Sequence, residues 1–135
     1  MGKTVITYGT FDLFHVGHLR LLARAKALAE GGRLIVAVST DEFNWHGKQK
    51  VCAIAYPERV EIISALKCVD LVIPEESWGQ KETDIVTHHV DIFVMGDDWQ
   101  GKFDFLKTKC EVCYLPRTPE ISTTGIKHAL RQPSP

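Results

Sequence analysis

The short apolar run at residues 4–8 ends in Gly9-Thr10-Phe11-Asp12-Leu13-Phe14-His15-Val16-Gly17-His18, and a pattern of helical period starts near Val16. A strand, a tight turn and a helix start in that order constrain the fold more than any other stretch of the chain. Leu19, Leu21, Leu22, Ala25 and Ala29 continue the helical period among Arg20, Arg24, Lys26 and Glu30, and Gly31-Gly32 closes it. Residues 33–39 are then almost continuously apolar, as in a strand buried on both faces of a parallel sheet. Strand, helix and strand make a right-handed βαβ unit.

Phosphate chemistry is expected at the first turn. A helix N-terminus presents unpaired N–H groups and the positive end of its dipole, which together favour phosphate oxygens. His15 and His18 lie one turn apart there, so both imidazoles can face the same phosphate, with Gly17 leaving no side chain in a ligand's way. Such an arrangement suits a transition state rich in negative charge.

With 135 residues, 44% of them hydrophobic, the chain makes one domain with an ordinary core, assigned to residues 1–131 with a short tail at 132–135. A formal net charge of −1 leaves no general basic surface, which argues against a nucleic-acid binder working by nonspecific electrostatics. Any phosphate site must be local. No apolar run approaches the ~18 to 20 residues that span a bilayer, and the N-terminus enters a strand without a signal-type segment, so no membrane insertion and a cytoplasmic location are expected. Cys52, Cys68, Cys110 and Cys113 are expected as free thiols.

Further along, residues 40–50 are polar and without clear period, which predicts a loop at the carboxyl end of the second strand, where ligand crevices form. Lys48 and Lys50 alternate in it; they could close over phosphates or simply be solvated. Pro57 starts a helix to about residue 66, and Arg59 is open between an ion pair with Glu58 or Glu61 and a structural role beside the site. A third strand at 69–74, a loop at 75–80 with Trp78, and a helix from Lys81 to His88 follow. The fourth strand, 91–95, runs into Gly96-Asp97-Asp98-Trp99-Gln100-Gly101-Lys102-Phe103. Base recognition is preferred there over a metal site: Gly96 permits close backbone approach and Asp98 can accept from an exocyclic amine. Cys110 and Cys113 lie three apart on a fifth strand, pointing to opposite faces as core residues. Last, Arg117-Thr118-Pro119-Glu120-Ile121-Ser122-Thr123-Thr124 leads into a helix at 125–131, and a guanidinium, hydroxyls and exposed N–H groups at one helix start make a polyphosphate cradle. The whole pattern predicts an α/β fold, a single Rossmann-like doubly wound parallel sheet of about five strands. The first and fourth strands are expected to be adjacent, with the crevice above their carboxyl ends.

G-T-F-D followed by H-V-G-H resembles the signature of the nucleotidyltransferase superfamily, and two histidines in it are similar to the cytidylyltransferase branch. G-D-D-W-Q-G-K-F and R-T-P-E-I-S-T-T extend the resemblance to the glycerol-3-phosphate cytidylyltransferases over almost the whole length. The resemblance implies catalytic roles for His15, His18, Lys48, Lys50 and Arg117. It further implies a nucleotide held by Gly9, Thr10, Phe11, Gly17, Gly96, Asp98, Thr118, Ile121, Ser122, Thr123 and Thr124 as well, and an acceptor phosphate touched by Lys48 and Lys81. CTP and a small phosphorylated acceptor are the implied substrates, and a homodimer the implied assembly. Two positions depart from the family: Glu120 stands where Gly is usual and Lys67 where Arg is common.

The expected reaction is in-line attack of the acceptor's phosphate oxygen on the α-phosphorus of CTP, with pyrophosphate leaving. A phosphate monoester needs no strong general base, so catalysis is positioning and charge stabilisation. Mg2+ is expected to be carried mostly by the phosphates, with Asp12 a minor candidate ligand. The acceptor stays open among glycerol 3-phosphate, phosphoethanolamine, a sugar phosphate or a phosphorylated amide. ATP remains open as the nucleotide, and so does a nucleotide sensor without turnover.

Overall fold

The apolar runs read as strands pair side by side in one sheet. The computed structural model describes residues 2–116. Strands β1 (Thr4–Gly9), β2 (Arg33–Ser39), β3 (Leu71–Glu75), β4 (Ile92–Gly96) and β5 (Glu111–Leu115) form one parallel sheet in the order β3-β2-β1-β4-β5. Helices α1 (Val16–Leu28), α2 (Asp41–Lys48), α3 (Tyr56–Ser64) and α4 (Gln80–Thr87) interleave with them. Two short 3-10 segments, Asp97–Trp99 and Asp104–Thr108, join β4 to β5.

Alternation along the strands divides the core in two. Val5, Leu34, Val36, Val38, Ile92 and Val94 face Leu22, Ala25 and Ala29 of the α1 region and Ile63 of α3. Ile6, Tyr8, Ile35, Ala37, Phe93 and Met95 face Ile85 of α4, Phe103 and Leu106. Each fully buried aliphatic side chain contributes about 1.5–3 kcal/mol relative to exposure, so both faces of the sheet are held by burial. Cys113 packs against the first cluster and Cys110, just before β5, against the second, so the two point to opposite faces as expected. The strand order reverses between β1 and β4, and a crevice opens at such a switch point.

Two segments differ from expectation. Residues 41–48 are helical, not a loop: Thr40 is an N-cap whose Oγ1 accepts from Phe43 N–H at 3.1 Å, and Asp41 and Glu42 complement the helix dipole. Only Phe43 and Asn44 of this helix are buried, so it shows no apolar stripe to read. Strand β3 begins two residues later than expected and runs through Glu75, because Asp70 is used to cap the register: its Oδ2 accepts from Leu34 N–H and from Lys26 Nζ, both at 2.7 Å. The helix expected at 125–131 and the tail at 132–135 lie outside the described residues.

Candidate active site

The turn after β1 is held in an unusual backbone shape. Phe11 (φ 56°) and Leu13 (φ 51°) both take the left-handed conformation, which side chains rarely adopt without support. Support comes from Asp12, whose Oδ1 accepts from Leu13 N–H (3.1 Å) and Ile54 N–H (2.9 Å) and whose Oδ2 accepts from Ala53 N–H (2.8 Å). The Phe11 ring folds back over Gly9, where a Cβ would lie 2.9 Å from it. Thr10 Oγ1 donates to Asn44 Oδ1 at 3.1 Å, tying the turn to α2.

Arg59 is the hub beneath this turn. Its guanidinium is fully buried and donates to the carbonyls of Ile54 (2.9 Å), Thr10 (2.8 Å) and Ser39 (2.7 Å), and to Asp41 Oδ1 (2.7 Å). Of the two roles left open for it, the structural one holds, and its ion-pair partner is Asp41 rather than Glu58 or Glu61.

His15 and His18 cap α1 as well as facing the turn. His15 is the N-cap: its Nδ1 accepts from Gly17 N–H at 3.0 Å, and its own N–H donates to His18 Nδ1 at 3.2 Å. The rings stack with centroids 3.8 Å apart. With both Nδ1 atoms accepting, each neutral ring carries its proton on Nε2. Burial lowers the pKa of His15, and burial, then the neighbouring His15, pushes that of His18 down to about 4. Both rings are therefore neutral at pH 7 and offer Nε2–H donors. His15 Nε2 is buried with no hydrogen-bond partner among the described residues.

A cleft of about 380 Å3 opens above the strand ends, lined by Gly9, Thr10, Phe11, Asp12, His18, Lys48, Lys50, Lys81 and Trp99, among others. Lys48 and Lys50 do not project alike. The left-handed C-cap at Gln49 (φ 56°) separates them: Lys48 turns inward to Ser39 Oγ (3.0 Å), while Lys50 is exposed. Burial depresses the Lys48 pKa, partly offset by the Glu75 carboxylate at 3.5 Å. Lys81, expected at the start of a helix as an acceptor contact, is buried in α4 and ion-paired to Glu75 Oε2 at 2.9 Å.

The structure thus brings together the H-x-G-H turn, the Lys48–Lys50 segment and the rings of Trp99 and Phe103. Gly96 closes β4 with open space above it, and Asp98 stands exposed on the following 3-10 segment. Arg117, Thr118, Ile121, Ser122, Thr123 and Thr124 lie outside the described residues. Sequence reasoning missed Glu75, Ser39 and Asn44. Glu75 carried one signal, a carboxylate at the end of an apolar strand, and it was obscured by placing the strand end at Pro74.

A doubly wound parallel sheet whose first turn presents two neutral imidazoles beside a lysine-lined cleft defines the class of α/β nucleotidyltransferases. Residues 6–129 match the model of the cytidylyltransferase-like family, and the chain belongs to that family as a nucleotidyltransferase enzyme. It is 59% identical over 128 residues to the glycerol-3-phosphate cytidylyltransferase of Bacillus subtilis, covering 95% of this chain and 97% of that protein. The Staphylococcus aureus glycerol-3-phosphate cytidylyltransferase is 57% identical, with 95% of each covered. A crystal structure of the lipopolysaccharide core biosynthesis protein from Thermoplasma volcanium shares the fold, with a TM-score of 0.70 and 24% identity over 87% of this chain and 99% of that one.

Proposed function

We propose that the chain transfers CMP from CTP to sn-glycerol 3-phosphate, giving CDP-glycerol and pyrophosphate for teichoic-acid-like or capsular polymers. The choice of acceptor rests on the two relatives above. The observation that carries the chemistry is the cleft in which His18, Lys48, Lys50 and Lys81 converge beside the β1 turn. A glycerol 3-phosphate oxygen attacks the α-phosphorus of CTP, a new P–O bond forms, the α–β bridge breaks, and the electron pair leaves with pyrophosphate. His15 and His18 donate through Nε2–H to phosphoryl oxygens as charge builds there. Being neutral, they donate without handing over a full charge and need no proton uptake. Lys48 and Lys81 hold the acceptor's phosphate, Lys50 reaches the nucleotide's, and Gly9, Thr10, Phe11 and Gly17 shape the backbone around them. Gly96 and Asp98 are assigned to the cytosine; Arg117, Ser122, Thr123 and Thr124 are assigned to the pyrophosphate, and Thr118 and Ile121 to the nucleotide.

Mg2+ belongs to the same reading, held by phosphate oxygens and neutralising their charge. The donor set fits that arrangement: among the described residues no group of three or more His, Cys, Asp or Glu gathers to hold an ion, and both oxygens of Asp12 accept backbone N–H groups. A homodimer in the cytoplasm completes the reading. No helix among the described residues is long and apolar enough to cross a membrane.

Pyrophosphate release, measured with each of the four nucleoside triphosphates against a panel of phosphorylated acceptors, tests the proposal. CTP with glycerol 3-phosphate is expected to be the fastest pair. Faster release with ATP, or with phosphoethanolamine or a sugar phosphate, would overturn the substrate assignment, and nucleotide binding without release under any acceptor would make the chain a sensor.

A further inference from the structure

Glu75 is 2% exposed at the carboxyl end of β3 and is one of the residues lining the cleft. Oε1 accepts from Ser39 Oγ at 2.6 Å and lies 3.5 Å from Lys48 Nζ; Oε2 accepts from Lys81 Nζ at 2.9 Å. Lys81 is equally buried, and its ammonium sits 4.6, 5.2 and 5.3 Å from the ring centres of Tyr8, Trp78 and Phe103. Lys48 sits 5.1 and 5.5 Å from those of Phe43 and Trp78. Rings of this kind attract cations strongly once water is excluded.

We propose that Glu75 is a positioning residue of the transfer reaction, locking Lys81 in place and keeping Lys48 within reach so that the pair meets one anionic phosphate monoester already aligned. This rests on the reading of Lys48 and Lys81 as acceptor contacts. The triad carries two formal positive charges against one negative, which leaves a single positive charge unbalanced among side chains only 2% to 11% exposed. An isolated buried ammonium is costly; the carboxylate between the two lysines offsets part of the burial that depresses the Lys48 pKa. A second carboxylate would have cancelled the attraction for phosphate. The two contacts are unequal: Lys81 is held by the carboxylate at 2.9 Å, whereas Lys48 lies 3.5 Å from it and donates to Ser39 Oγ at 3.0 Å, a neutral acceptor that an incoming phosphate oxygen can replace.

Other groups facing the triad are accounted for. Tyr8 of β1 donates its hydroxyl to Asp84 of α4 at 2.6 Å, Lys50 beyond α2 repels Lys48 without touching it, and His18 lines the same cleft. Neither Tyr8 nor Asp84 takes a bond from Lys48 or Lys81 in place of Glu75.

Glu75→Gln and Glu75→Asp are compared with the wild-type enzyme by KM for glycerol 3-phosphate, KM for CTP, kcat, and the pH profile of kcat/KM. Glu75→Gln is expected to raise the acceptor KM about ten- to a hundredfold, the size of one charge-assisted hydrogen bond. The CTP KM is expected to stay within about threefold. The alkaline limb should move to lower pH as Lys48 loses its counter-charge, and Glu75→Asp should restore the limb with an intermediate KM. A wild-type acceptor KM and limb in Glu75→Gln overturn the proposal, as does an equal loss for both substrates that Glu75→Asp fails to recover. Should Glu75→Gln fail to fold in a thermal melt, Glu75→Asp decides alone: a raised acceptor KM with an unmoved limb supports the proposal, a wild-type KM sinks it. If the wild type does not turn over glycerol 3-phosphate, the acceptor assignment fails by itself. Calorimetric titration with inorganic phosphate then tests Glu75 separately, an unchanged Kd in the variants counting against it.

Discussion

His15 N–H donates to His18 Nδ1 at 3.2 Å while His15 Nδ1 accepts from Gly17 N–H at 3.0 Å, so the two histidines close a capping box on α1 with their own side chains. One pair of residues thereby starts the helix and sets the tautomer in which both imidazoles present Nε2–H. Structure and chemistry at this turn cannot be altered independently by simple truncation.

His15→Ala and His18→Ala are each expected to lower kcat at least about a hundredfold, the scale of one lost transition-state donor. His15→Ala should also lose about 0.5–2 kcal/mol of stability with the cap. Asn caps well but carries no imidazole, so His15→Asn should recover the melting temperature and leave kcat low. Pyrophosphate release and thermal melts separate the two effects; wild-type kcat in His15→Asn would remove that imidazole from the chemistry.

Stability should fall with acid in a window set by His18. Its folded-state pKa is about 4 against 6.5 for the unfolded chain, so between those values the unfolded state binds more protons. The stabilisation is complete above about pH 6.5, fades as pH falls, and levels off below about pH 4. Urea midpoints measured across this range should fall less steeply in His18→Asn than in the wild type. Parallel slopes would mean that His18 titrates normally.

Arg59→Met would leave the carbonyls of Thr10, Ser39 and Ile54 and the Asp41 carboxylate without their donor. A cost of about 3 kcal/mol or more is expected, read as a lowered urea midpoint. Arg59→Lys should recover only part of it, because an ammonium cannot span four acceptors in one plane. Equal stability of Arg59→Lys and the wild type would deny the hub role.

Asp12→Ala removes the acceptor for the N–H groups of Ala53 and Ile54. Each orphaned donor costs about 1–3 kcal/mol if it stays buried, so the segment is expected to open locally instead. Hydrogen exchange at Ala53 and Ile54 should accelerate while that of β2 amides is unchanged. Protection equal to the wild type at both positions would show another acceptor in place.

Most of the architecture was legible because burial imposes period. Residues 34–38 are wholly apolar and wholly buried, and α1 ends before them at Leu28, with the chain turning through left-handed Glu30 (φ 49°) and Gly31 (φ 87°). The H-x-G-H turn was legible through its motif and its place between a strand and a helix. Helix α2 was not, since it buries only Phe43 and Asn44; its Thr40 cap and acidic first turn were the readable signals. Nor was Glu75, whose role exists only where Lys48 and Lys81 meet it.

The sequence alone determined the strand and helix succession and the two histidines at a helix start, because these follow from spacing within a few residues; the parallel order with β1 beside β4 was expected only from the fold class that this succession implies. Only the tertiary structure decided the partners of the buried charges. Ser39, Lys48, Glu75 and Lys81 come from four elements, and no local pattern specifies which ammonium meets which carboxylate. Packing does: removing these groups from water makes an unpaired charge too costly, and the fold brings them within reach of one another.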